Sequence, residues 1–382
     1  MIKTEYDFTT MPHRRQTDSI KWHVQPNELP MWIADMDFQT APEIKAALAA
    51  KVQTGIFGYE EPHDDYDQAV IDWYQQEHQA TAQPEWLIFA TGVVPALSAS
   101  VRRLSHVGDN VLVQAPVYNI FYNSIINNGR HILSSDLRYC EGHYQIDFTD
   151  LAAKLADPLT TLMILCNPHN PIGKVWTEAE LLKIRALCAQ YQVILISDEI
   201  HGDLVLTGAD YRPMFALPDA EAYQTVSLVS PSKTFNVAAL HAATAIVPNT
   251  ALRAQVRRGL NTDEVAEPNL LAIPGTIAAY TQGRAWLAAL KDQLRQNYQQ
   301  VASFIATNLP EIKLVASQAT YLVWLDCSAL KLPANELASQ LRAETGLILS
   351  AGSIYGGNGD HFLRMNIACP ASMVHDGLQR LQ

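Results

Sequence analysis

Residues 161–201 read TLMILCNPHNPIGKVWTEAELLKIRALCAQYQVILISDEIH. Leu162–Cys166 and Val193–Ile196 are apolar at nearly every position, which a strand tolerates only when helices cover both faces of its sheet. Between them, TEAELLKIRALCAQY (177–191) has the apolar spacing of a helix. Strand, helix and strand in that order predict two central strands of a mostly parallel α/β sheet.

The same alternation continues on both sides. Upstream lie WLIFA (86–90), a helical segment at 95–106, NVLVQA (110–115), a helical segment at 117–128 and HILSSDL (131–137). Downstream lie TVSLVSPS (225–232) and HAATAIVP (241–248). After about residue 284 the pattern changes to a long helix over 285–308, an isolated strand at Tyr321–Asp326, a helix near 335–344, a strand at 362–368 and a closing helix. The change predicts a large α/β domain over 41–283 and a smaller α+β domain built from 1–40 with 284–382. No repeat or Gly/Ser tether marks the boundary.

Composition narrows the function. The 382 residues are 48% hydrophobic and 17% charged, enough apolar material for a sizeable core and too little charge for extended disorder. The 27 basic and 39 acidic residues leave a net charge of -12, which argues against nucleic acid and anionic membrane surfaces as partners. Five scattered cysteines, an odd number, read as free thiols in a reducing cytoplasm rather than a disulfide framework or zinc site. The N-terminus has acidic residues where a signal peptide carries its apolar core, and no run reaches the ~20 apolar residues of a membrane span.

In an open α/β sheet, ligands bind beyond the C-terminal ends of the strands, and four segments there carry chemistry. In Thr91-Gly92-Val93-Val94 a strand turns through glycine into a helix start, whose free N–H groups can hold an anion. Asn167-Pro168-His169-Asn170-Pro171 forms a rigid turn in which Asn170 is free to meet a ligand. Asp198 and Glu199 end the most apolar run, where a carboxylate is costly unless it faces a cation or donors. Asp198 could equally cap a helix, or join His201 and Asp203 on a metal, although no zinc motif supports that. Lys233, among the hydroxyls of Ser230 and Ser232, could be an ordinary surface lysine or an amine that forms a Schiff base. Together these parts are what a protein needs to hold pyridoxal 5′-phosphate.

These segments, with WIADMDF (32–38), APVYNIF (115–121) and FLRMNIACP (362–370), make the chain resemble the fold-type I aminotransferase superfamily. TGVVPALS (91–98), CNPHNPIGKVWT (166–177), SDEIH (197–201) and SPSKTFN (230–236) belong to the same resemblance, and DEIH, TGVVPAL and WIADMDF make it most similar to the MalY/PatB-like cystathionine β-lyase branch. The resemblance covers nearly the whole chain. It implies a mostly parallel seven-stranded sheet sandwiched by helices, plus a smaller α+β domain. It also implies a carbon–sulfur β-lyase that cleaves L-cystathionine to homocysteine, pyruvate and ammonia, with amino-acid transamination as the alternative.

Residue by residue, the resemblance makes Lys233 the cofactor-bearing lysine and general base. It makes Asp198 the partner of the pyridine nitrogen, Asn170 and His201 contacts of the ring oxygen, and Tyr118 the stacking aromatic. The phosphate is expected on the amides of Val93 and Val94 with the hydroxyls of Ser230 and Ser232. Arg364 is expected to clamp the substrate carboxylate. Tyr59 is expected to reach the phosphate from the partner subunit of a homodimer. The chain departs from the family where Val237-Ala238-Ala239-Leu240-His241 follows the lysine motif and the next arginine is Arg253.

Overall fold

The computed structural model describes residues 6–382. Its largest feature is a sheet of seven strands: β1 (Leu87–Ala90), β2 (Asn110–Val113), β3 (His131–Ser134), β4 (Thr160–Cys166), β5 (Ile194–Asp198), β6 (Thr225–Val229) and β7 (Ala243–Ile246). They lie in the order β1-β7-β6-β5-β4-β2-β3. All neighbours are parallel except β7, which runs antiparallel to both β1 and β6.

The apolar runs are continuous because each strand feeds two cores. Leu162, Ile164 and Cys166 of β4 pack with Ala96, Leu97 and Val101 on one face, while Met163 and Leu165 pack with Leu181, Ile184 and Cys188 on the other. Successive strand residues point to opposite faces, and each buried side chain of this size contributes about 2 kcal/mol. The helix Glu178–Gln190 that joins β4 to β5 starts on a capping box, with Thr177 Oγ accepting the Glu180 N–H and Glu180 accepting the Thr177 N–H.

A second, antiparallel sheet comprises β8 (Lys313–Leu314), β9 (Leu322–Asp326), β10 (Ser350–Ala351) and β11 (Phe362–Asn366), in the order β8-β9-β11-β10. The strand expected in isolation at 321–326 is therefore central. It pairs with β8 and β11, and the two edge strands of the sheet, β8 and β10, are two residues long, too short to show a period-two pattern. The helix Arg284–Asn308 covers this sheet, its buried Asn297 donating to the carbonyls of Ile367 and Cys369. Near the N-terminus, Leu29–Pro30 pairs in parallel with Leu347–Ile348. The chain then runs through residues 32–38 between the two sheets.

That crossing segment is held by its backbone. Asn366 donates to Ile33 O and Asp35 O at 2.7 and 2.6 Å. From the other side, Asn236 accepts the Met36 N–H and donates to Met36 O and Phe38 O. Asp35 and Asp37 within this segment face cations: Arg14 bridges both, and Lys21 lies 2.7 Å from Asp37.

Candidate active site

The C-terminal ends of β1, β4, β5 and β6 open onto one cavity of about 240 Å³. Val93, Val94, Tyr118, Asn170, Asp198, His201, Ser232 and Lys233 all line it. Residues as far apart in sequence as Val93 and Lys233 meet there because parallel strands end side by side.

At one end, Gly92 precedes the helix Val93–Leu104 with φ +143° and ψ 159°, a setting that L side chains rarely adopt. This turns the strand directly into the helix and leaves the first amides without intrahelical partners, a natural anion site. At the other end, the carboxylate of Asp198 is buried and accepts one bond from the protein, from the Ile200 N–H at 3.1 Å. Burial pushes its pKa up to about 6. The His201 ring is buried with Nδ1 unpaired, and burial, then the charges of Lys233 and Arg364, holds it at about 3, hence neutral.

Asn170 is presented by a turn that its neighbours lock. His169 is buried and its Nε2 lies 2.8 Å from Pro116 O, while Trp176 donates its indole N–H to Cys166 O. The Asn170 Oδ1 accepts from Arg364 Nη1 at 3.1 Å, which leaves its amide N–H groups for the cavity. Arg364, on β11, stands behind Asn170 rather than in the cavity lining. Its Nη2 donates to Trp32 O, it lies over the Tyr355 ring, and its Nε is buried without a partner.

Lys233 Nζ donates to Ala34 O at 2.6 Å, and Tyr321 donates to the same carbonyl at 3.1 Å. The side chain opens to the cavity but is shielded from bulk solvent, and burial lowers its pKa to about 8. Asp35 and Asp198 oppose that shift, and Arg364 adds to it. Behind it, Thr234 donates to the buried Asp203, which also accepts from Trp73 Nε1 and lies 2.7 Å from His78 Nε2.

Two expected phosphate ligands stand elsewhere. Ser230 is not part of the cavity wall: its Oγ lies 2.7 Å from Ala242 O, an acceptor only, so its proton goes there, and it accepts the Ser232 N–H. Its work is to hold Ser232. Tyr59 is fully exposed and borders a separate open groove of about 1600 Å³ with Lys51, Arg257 and Arg258. Arg253 donates to Val247 O and Pro248 O, beyond the end of β7 that is remote from the cavity. The sequence missed Ala34, whose contribution is a carbonyl and so has no side-chain signature, and it missed Ala238 and His241, which also line the cavity.

An anion-holding helix start, a buried carboxylate short of donors, an unpaired ring nitrogen and an amine of lowered pKa fit pyridoxal 5′-phosphate in charge and donor set. Residues 29–381 match the family model for aminotransferase class I and II. The chain belongs to that family. Among its members, cystathionine β-lyase PatB of Bacillus subtilis is 40% identical over 98% of this chain and 99% of its own. Protein MalY of Escherichia coli is 33% identical over 98% of each chain. The crystal structure of cystalysin from Treponema denticola, which contains pyridoxal 5′-phosphate, superposes with a TM-score of 0.95 at 31% identity, over 99% of this chain and 98% of that one. The fold of this family is the mostly parallel α/β sheet and smaller α+β unit described above.

Proposed function

We propose that this protein is a pyridoxal 5′-phosphate-dependent carbon–sulfur β-lyase acting on L-cystathionine or related cysteine S-conjugates. The observation that carries the proposal is the convergence of Lys233, Asp198 and Asn170 on one cavity, with Arg364 bonded to Asn170 behind it. Full-length similarity to a cystathionine β-lyase supports the substrate class.

When bound, the cofactor supplies an electron-accepting ring for the pair left by a breaking Cα–H bond. Lys233 Nζ would hold the cofactor and, when the substrate amine takes its place, would be free to receive the Cα proton. Asp198 would pair with the ring nitrogen and keep a proton on it. Tyr118 would cover the ring, and Asn170 and His201 would orient its oxygen. Val93, Val94 and Ser232 would hold the phosphate. Arg364 has its Nε–H and further Nη hydrogens left for the substrate carboxylate. The Cβ–S bond then breaks, its electron pair leaves with sulfur as thiolate, and water converts the remaining fragment to pyruvate and ammonia.

We further assign Tyr59 to the phosphate site of a second subunit. Its full exposure, next to the exposed Ile56 and Phe57, supports a homodimer that covers this segment. The pairing of Leu29–Pro30 with Leu347–Ile348 supports a division into 41–283 and 1–40 with 284–382. Five free cysteines support residence in the reducing cytoplasm.

The test is incubation of the purified protein with L-cystathionine and no keto acid. Pyruvate and free thiol in equal amounts are expected, and Lys233→Ala should abolish both. Turnover that requires an added keto acid would instead identify an aminotransferase, the activity this family's name states.

A further inference from the structure

The cavity end formed by the helix start takes a phosphate that carries about two negative charges, yet the side chains expected to meet it are hydroxyls. Among the described residues that line the cavity, only Lys233, His201 and His241 can carry positive charge. Lys233 would be engaged by the cofactor's aldehyde rather than its phosphate, and His201 is buried and neutral. His241 remains.

Its place follows from strand register. β7 pairs antiparallel with β1, Ala243 opposite Ala90 and Thr244 opposite Phe89. Two residues before that ladder begins, His241 lines the same cavity as Gly92, the residue that precedes the helix start. A short turn of 3-10 helix, Ala238–Leu240, leads into it, and His241 adopts a left-handed conformation with φ +50°. The next residue, Ala242, accepts the hydroxyl of Ser230, which in turn receives the Ser232 N–H. His241 is thus tied through its neighbour to the serine pair and shares the cavity wall with the helix start. The residue is exposed where it lines the cavity, and its ring makes no hydrogen bond among the described residues.

We propose that His241 is a ligand of the cofactor phosphate, donating an imidazole N–H alongside the amides of Val93 and Val94. Imidazole has an N–H to give in either protonation state, so the contact does not require the charged form. The inference rests on the proposed function, since it presumes that the cavity takes pyridoxal 5′-phosphate.

The experiment is equilibrium titration of full-length, cofactor-depleted protein with pyridoxal 5′-phosphate and, separately, with pyridoxal, followed by the absorbance of the bound ligand. His241→Ala should weaken pyridoxal 5′-phosphate by about tenfold and pyridoxal by less than about twofold. His241→Arg should restore the lost affinity. An unchanged affinity for pyridoxal 5′-phosphate in His241→Ala, or an equal loss for both ligands, would overturn the assignment, the second outcome marking a role in shaping the loop. Failure of the unsubstituted protein to bind pyridoxal 5′-phosphate would overturn the proposed function itself.

Discussion

Asp198 and Glu199 are adjacent carboxylates at the end of one strand, and the pleat sends them to opposite sides. Asp198 faces the cavity. Glu199 accepts from Tyr211 Oη, Met214 N and Ser227 Oγ, and burial raises its pKa from 4.5 to about 7. Between those values the folded chain keeps a proton that the unfolded chain releases. The associated stability is present below about pH 4.5 and is lost as pH rises through about 7, an effect on the order of 3 kcal/mol. Glu199→Gln should flatten this slope, as read from urea unfolding at several pH values; a slope identical to that of the parent would refute the assignment. Lys233 gives a second pH prediction. Its amine, lowered to about 8, becomes neutral and nucleophilic well before an ordinary lysine at 10.5. The rate at which cofactor-depleted protein captures pyridoxal 5′-phosphate should rise with pH and level off above about 8, whereas a rise continuing to 10.5 would mean the lysine is effectively solvated.

The element that joins these residues is the segment 32–38. Its motif was visible in the sequence, but its work was not, because that work is done by backbone groups: Ala34 O takes Lys233, and Met36 and Phe38 take Asn236. Asn236 suits the position twice over, by its φ of +56° and by a side chain that both donates and accepts. Asn236→Ala should cost about 2 kcal/mol of unfolding free energy and weaken cofactor retention. Loss of stability with no change in retention would separate the segment from the site. The central strands were legible because uniform apolar runs of five or so residues have one explanation in a two-sided sheet. The helices Thr250–Thr262 and Ala272–Gln282 were not anticipated, since no strand signal follows either to frame them. Strands of two residues such as Ser350–Ala351 leave no periodicity to read.

At the scale of the whole molecule, the exposed run Gly55-Ile56-Phe57-Gly58-Tyr59 is the least protein-like surface, apolar and without regular secondary structure. If a second subunit covers it, Ile56→Ser with Phe57→Ser should weaken self-association at least about tenfold, seen as a shift toward monomer in sedimentation at low concentration. Tyr59→Phe should leave association intact while loosening the cofactor. A parent chain that sediments as a monomer at all concentrations would exclude the shared site. Sequence alone could flag Tyr59 only by family likeness, since nothing in one chain's pattern reveals what another chain covers. The small sheet, finally, reaches the lysine without touching it: Asn366 and Arg364 grip Ile33, Asp35 and Trp32, and the carbonyl between them receives Nζ. Residues 32–35 therefore form a rod between the small sheet and the lysine, and with Arg364 in its proposed role, a substrate carboxylate drawn onto it should be felt at Nζ through the Ala34 carbonyl, making the colour of the bound cofactor a gauge of the small sheet's position.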